Sequence, residues 1–134
     1  MVQFELSDDA LLKVSGVLAS SLAVKLSCAP GFSHRQFFAK HETIPRNDTL
    51  FQYLGVAAGG VGITQLAVSA AEGSRPAKKN ALKAAGLTWL VCAGMDYYNV
   101  GQGTLAPHYT VPAASLLAGV GALCLYRGFK KDDS

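Results

Sequence analysis

The sequence predicts an all-α integral membrane protein, a four-helix bundle with both termini on the same side of the bilayer. Three observations carry that expectation. The chain of 134 residues is charge-poor, with 16% Asp, Glu, Lys and Arg, against about 25% in a soluble domain. It contains four apolar segments, one of which, Leu50 to Ala71, runs without a charge. Two of the segments carry small residues at four-residue spacing, which lets helices approach closely in lipid. The length fits one membrane domain, residues 1–134, with spans at about 8–28, 49–71, 81–98 and 111–127.

The first span opens at Ser7, a good N-cap, with Asp8 and Asp9 in the first turn where the helix dipole favours anions. Lys13 and Lys25 bracket its uncharged centre, Val14 to Val24. That centre rises only about 16 Å. The segment therefore crosses a hydrocarbon core of roughly 30 Å only if both lysines reach outward to the interfaces. Pro30-Gly31 is expected to stop the helix.

The second span opens at Asn47-Asp48-Thr49 and reads LFQYLGVAAGGVGITQLAVSAA. Gly55 and Gly59 form GxxxG, and Ala58 and Gly62 repeat the spacing, so Gly55, Gly59 and Gly62 are expected to pack against another helix. In water each glycine would weaken a helix by up to about 1 kcal/mol. Gln52, Thr64, Gln65 and Ser69 are its main polar residues, and they form no polar stripe of the kind a solvated helix carries.

The third span follows the polar turn EGSRPAKKN and is uncharged between Lys83 and Asp96. The fourth opens at Thr110, has Pro112 near its first turn and ends at Tyr126-Arg127-Gly128. Ala114, Ala118 and Ala122 repeat at spacing four, as do Ser115 and Gly119, giving a second small-residue face. Helices so rich in Ala and Gly gain little from lipid and much from close neighbours. The chain is therefore expected to have partners, namely lipids and the other subunits of a large membrane assembly.

Four spans place both termini together with eight basic residues: Lys13, Arg75, Lys78, Lys79, Lys83, Arg127, Lys130 and Lys131. Lys25, Arg35, Lys40 and Arg46 fall on the other side, and residues 99–109 contain no Lys or Arg. The excess puts the termini in the cytosol or, for a mitochondrial protein, the matrix. The acidic start, MVQFELSDD, matches neither a secretory signal nor a transit peptide, so targeting through internal segments is expected. The net charge of +3 sits in short clusters beside apolar runs. That suits a membrane surface, and nucleic acid is not an expected partner.

Asp96 raises the question of chemistry, because an ionisable residue within a span is functional by default. It lies about 20 Å along the helix from Lys83, which places it towards an interface, with Tyr97 and Tyr98 as an aromatic belt. The expectation is a polar contact by Asp96 and Asn99, with a local donor or a neighbouring chain. Gly101-Gln102-Gly103-Thr104 lacks the lysine of a phosphate loop and reads as a turn. His34, His41, Glu42 and His108 lack metal-ligand spacing. Cys28, Cys92 and Cys124 read as small buried hydrophobes. FSHRQFFAKHE pairs Phe32, Phe37 and Phe38 with Arg35 and Lys40, as an amphipathic surface segment would. No catalytic constellation is legible. The expectation is a protein without catalytic, metal or cofactor residues of its own.

The Gly55/Gly59/Gly62 helix, the AKKN turn after Pro76 and the charged tail GFKKDDS resemble the small supernumerary membrane subunits of mitochondrial respiratory complexes, complex I in particular. The resemblance implies a non-catalytic accessory subunit of the inner membrane that stabilises the membrane arm and carries no redox centre. The alternative is a small carrier or lipid-handling membrane protein, DoxX-like in outline, with a polar cavity near Asp96 and Asn99. The end KKDDS is one residue out of register with a dilysine retrieval signal, which keeps an endoplasmic reticulum membrane as the alternative location.

Overall fold

In the computed structural model the chain is all-helical, and residues 7–71 and 75–131 are described. The expectations that fall on residues 1–6, 72–74 and 132–134, which include the acidic start and the DDS end, lie outside the described residues. Five helices follow one another: α1 (Asp8–Cys28), α2 (Pro30–Phe37), α3 (Asp48–Ala70), α4 (Arg75–Gly101) and α5 (Pro107–Phe129). Three of them, α1, α3 and α5, are long and apolar enough to cross a membrane.

The helix starts follow local chemistry. Ser7 caps α1, its side chain accepting from the Ala10 amide at 3.1 Å. Asn47 caps α3 through the Leu50 amide at 3.0 Å. Pro30 and Pro107 stand at the first position of α2 and α5, where the missing N–H costs nothing. Pro30 therefore ends α1 as expected but also starts a new helix, so the FSHRQF stretch is helical. For the same reason α5 begins several residues before Thr110, and Pro112 falls inside it. The α4–α5 connection turns at Gly103, whose φ of 78° is the left-handed conformation that closes a helix. The Gly103 amide donates to the Val100 carbonyl and the Thr104 amide to the Asn99 carbonyl.

The expected third span differs from the other three. α4 covers the expected span but begins at Arg75, so RPAKKN, expected as a polar turn, is helical; its first turns carry Arg75, Lys78, Lys79 and Lys83, and Asp96 follows. Its uncharged stretch is about 12 residues, or roughly 18 Å. That is shorter than a hydrocarbon core. The expected four-span bundle is thus three membrane-length apolar helices, a longer helix with charged ends, and the short α2.

Two tight antiparallel hairpins make up most of the packing, α1 with α3 and α4 with α5. Each closes at backbone distance. A Cβ at Gly62 would stand 2.8 Å from the Gly16 carbonyl oxygen, and one at Gly55 would stand 2.9 Å from the Ala23 carbonyl oxygen. In the second hairpin a Cβ at Gly86 would meet the Gly121 carbonyl oxygen at 2.7 Å, and one at Gly128 would meet the Lys79 carbonyl oxygen at 3.1 Å. The hairpins join through α1, whose Leu11, Leu12 and Ala19 pack with Leu82, Ala85, Trp89, Val120 and Cys124.

One end of the molecule is tied by charge. Asp8 at the start of α1 meets Lys79 Nζ at 2.8 Å and Arg127 Nε at 2.9 Å, and Lys78 Nζ lies 2.7 Å from Asp9. The start of α1, the start of α4 and the end of α5 therefore share one end.

These contacts separate two kinds of glycine. Gly62→Val and Gly86→Val force hairpin backbones apart and should each cost about 1–3 kcal/mol or more. Gly60, which has open space around it, should tolerate Ala with no loss and a gain of up to about 1 kcal/mol. Thermal unfolding of the purified variants in detergent checks the contrast.

Candidate functional site

Three buried polar side chains of the helical core converge on one hydroxyl. Trp89 Nε1 donates to Ser15 Oγ at 2.7 Å, and Ser15 Oγ donates to Gln65 Oε1. All three residues are buried, and they belong to α4, α1 and α3. In an apolar interior such groups must find partners, because an unmade hydrogen bond there costs its full desolvation. The junction pairs the Trp89 N–H, the Ser15 hydroxyl and the Gln65 amide oxygen with one another. It is a structural lock.

The other end of the molecule, around α2, is organised differently. Lys25, expected to reach outward, is half-buried instead. Its ammonium donates to Tyr109 Oη at 2.9 Å and to Gln36 Oε1, and it sits 4.6 Å from the Phe37 ring centroid and 4.4 Å from that of Tyr109. Each cation–π contact adds about 0.5–2 kcal/mol, depending on desolvation. Lys13, near the other end of α1, is exposed as expected. Chain pairing closes α2 against the α4–α5 connection, with the Ala106 amide donating to the Phe37 carbonyl at 2.8 Å and the Ala39 amide to the Thr104 carbonyl at 3.0 Å. His34 is buried, contacts the Ile44 carbonyl at 3.0 Å and lies near the rings of Phe38 and Phe51. It fastens the α2–α3 loop. Among the described residues no group of His, Cys, Asp and Glu gathers in a metal-binding cluster.

Between the two hairpins at this end lies a cavity of about 490 Å³. Leu22, Phe37, Phe51, Leu54 and Leu116 give it an apolar wall, and Trp89 reaches it from the core side. Ser21, Lys25, Cys92, Asp96, Tyr109 and Thr110 supply the polar atoms. Its size and its lining, mostly apolar with a few convergent polar groups, are those of small-molecule sites.

The residues expected from the sequence to matter fall in different places. Asp96 lines the cavity and has no hydrogen-bond or ion-pair partner among the described residues. No donor among the described residues stands within hydrogen-bond distance of it, and the neighbouring chain that was the other expected partner is not part of the structure. Asn99 does not join it. The Asn99 side chain donates to the Met95 carbonyl of its own helix, and its backbone carbonyl accepts from the α4–α5 turn. Gly55 and Gly62 lie at the α1 contact, while a Cβ at Gly59 would make only an ordinary 3.4 Å contact with Ala23. On α5, Ala114 is fully buried, Ala118 half-buried and Ala122 exposed. The contact there runs through Ala114, Gly121 and Gly128, a seven-residue repeat that keeps one face on a straight partner over several turns, which a strict four-residue repeat does not. Cys124 is buried as expected, whereas Cys28 is exposed.

Sequence reasoning missed the Ser15 junction, the aromatic surround of Lys25 and the role of Thr110. Gln65 gave a signal, as a polar residue in a span without charges. Nothing local marks Ser15 or Thr110.

Comparison with protein-family models, with curated proteins and with solved structures finds no match to this chain.

Ser15→Ala should leave the Trp89 N–H and the Gln65 amide oxygen without a partner, costing about 1–3 kcal/mol for each group. Trp89→Phe removes a donor and leaves the Ser15–Gln65 bond in place, so its cost comes mainly from packing. A double-mutant cycle on Ser15 and Gln65, read by thermal unfolding in detergent, should return a coupling well above that of an exposed control pair.

Proposed function

We propose that this protein is a non-catalytic helical subunit that packs within and stabilises a large membrane assembly, a respiratory complex of the mitochondrial inner membrane and complex I foremost, with its termini facing the matrix. The observation that carries the reading is the outer face of α4. Leu87, Val91, Met95 and Tyr98 are all more than half exposed on it, on a helix whose uncharged length is too short to cross a membrane alone. A helix of this kind is stable at depth when another protein covers its apolar side and meets its charged ends. The outer side of α3 supports the same reading, with Val56 and Ile63 exposed beside Gly60. In the core the Trp89 N–H, the Ser15 hydroxyl and the Gln65 amide oxygen pair with one another.

The cavity beside Asp96 favours a second reading, a small lipid-handling membrane protein. Mild-detergent extraction followed by native electrophoresis separates the two. Co-migration with an assembly of hundreds of kilodaltons is the expected result, and a stable monomer or small homo-oligomer would favour the lipid-handling protein. Carbonate extraction should leave the protein in the membrane pellet, and release into the supernatant would overturn both readings.

A further inference from the structure

The cavity between the hairpins has an orientation. α1 and α4 run parallel, and the Ser15–Trp89 bond sets Leu22 near the level of Asp96. Asp96 is then about 10 Å along α4 from Trp89. Lys25, Asp96, Tyr109 and Thr110 cluster at the α2 end among Phe37, Phe51 and Leu54, and the wall towards Trp89 is formed by Leu18, Leu22, Leu116 and Leu117, with Cys92 beside them. Such a cavity matches a molecule with a polar head at the membrane surface and a chain directed inward.

Two of its polar groups are unused. Thr110 is 3% exposed and lines the cavity, and its hydroxyl has no hydrogen-bond partner among the described residues. Buried hydroxyls are nearly always paired, and an orphan one costs about 1–3 kcal/mol. Asp96 likewise has no partner among the described residues. The Lys25 ammonium, by contrast, is engaged by Gln36, Tyr109 and three aromatic faces.

Charge narrows the head group. The mouth holds one basic and one acidic side chain. An anionic head would approach Lys25, whose hydrogen bonds and ring contacts it must break, and would face Asp96 directly. A cationic head would suit Asp96 but would lie against Lys25. A neutral hydroxylated head donates to Asp96, exchanges a hydrogen bond with Thr110, and leaves the Lys25 contacts intact.

We propose that this cavity is a binding site for one neutral single-chain lipid with a hydroxylated head, held by Asp96 and Thr110 with its chain directed towards Trp89. The inference does not depend on the chain being an assembly subunit. A lipid held here would fill the gap between the hairpins in either setting.

Trp89 is the one tryptophan of the chain, so its fluorescence reports occupancy. The full-length protein in detergent is titrated with a monoacylglycerol brominated on its chain, and in parallel with the corresponding brominated fatty acid and long-chain amine. The expected result is saturable quenching by the monoacylglycerol, reversed by its unbrominated form, with at least tenfold weaker binding of the charged analogues. Asp96→Leu should weaken monoacylglycerol binding about tenfold and Thr110→Val several-fold, as loss of a charged and a neutral hydrogen bond requires. Ala113→Phe, which adds a ring to the cavity lining, should weaken saturable binding while helicity by circular dichroism is kept. Quenching that never saturates, or that unbrominated lipid does not reverse, overturns the proposal on the wild-type protein alone. Equal affinity for the charged analogues, or no effect of Asp96→Leu and Thr110→Val, overturns the assignment of the head group. Native electrophoresis is independent of all these outcomes, so failure here leaves the assembly reading standing.

Discussion

The Ser15 hydroxyl is the point at which three helices are held to one another. It accepts from Trp89 on α4 and donates to Gln65 on α3, so α3 and α4 are both registered against α1 by one atom. Leu11, Leu12, Ala19, Leu82, Ala85, Val120 and Cys124 pack around it. In lipid the hydrophobic effect does not drive helix against helix, because the tails are as apolar as the side chains. Close packing and a few buried hydrogen bonds must then set the arrangement, and in this core those hydrogen bonds meet at Ser15.

The backbone contacts serve the same end. Gly16, Gly55 and Gly62 let α1 and α3 touch along their length, and Gly86, Gly121 and Gly128 do so for α4 and α5. Both hairpins are closed by missing side chains rather than by large interlocking ones. The charged cluster of Asp8, Lys79 and Arg127 holds them together at one end. At the other end α2 and the backbone pairing of Phe37 with Ala106 do so from outside, and a cavity is left between. The two ends thus differ in kind. One is locked by direct contact. The other encloses space lined by Asp96, Lys25 and Thr110.

Parts of this were legible in the sequence because they depend on short-range rules. Ser7 and Asn47 announced helix starts through their capping chemistry, and Gly55 and Gly62 announced a close helix contact through their spacing. Gly103 fell in a turn because two glycines and an amide follow the last apolar residues of α4. Other parts misled for a stated reason. Pro30 carries the same local signal whether it ends a helix or begins one. Ala114, Ala118 and Ala122 repeat every four residues, and that repeat drifts around a straight helix, so Ala122 faces outward. Lys25 has the look of a snorkelling residue, and only the fold of α2 and α5 around it turns it inward. Asp96 was visible as an unusual residue, but its surroundings come from other helices.

The sequence by itself determined an all-helical chain, the starts of α1 and α3, its charge-poor apolar segments and one face of small residues. These follow from backbone periodicity, capping and side-chain size, which are fixed within a few turns of each residue. Only the tertiary structure decided that α1 mediates between two hairpins, that Ser15 joins Gln65 and Trp89, and that Asp96 and Thr110 line a common cavity. These depend on which helix faces lie opposite one another. That choice rests on contacts between residues such as Ser15 and Trp89, 74 positions apart, and no local pattern encodes it.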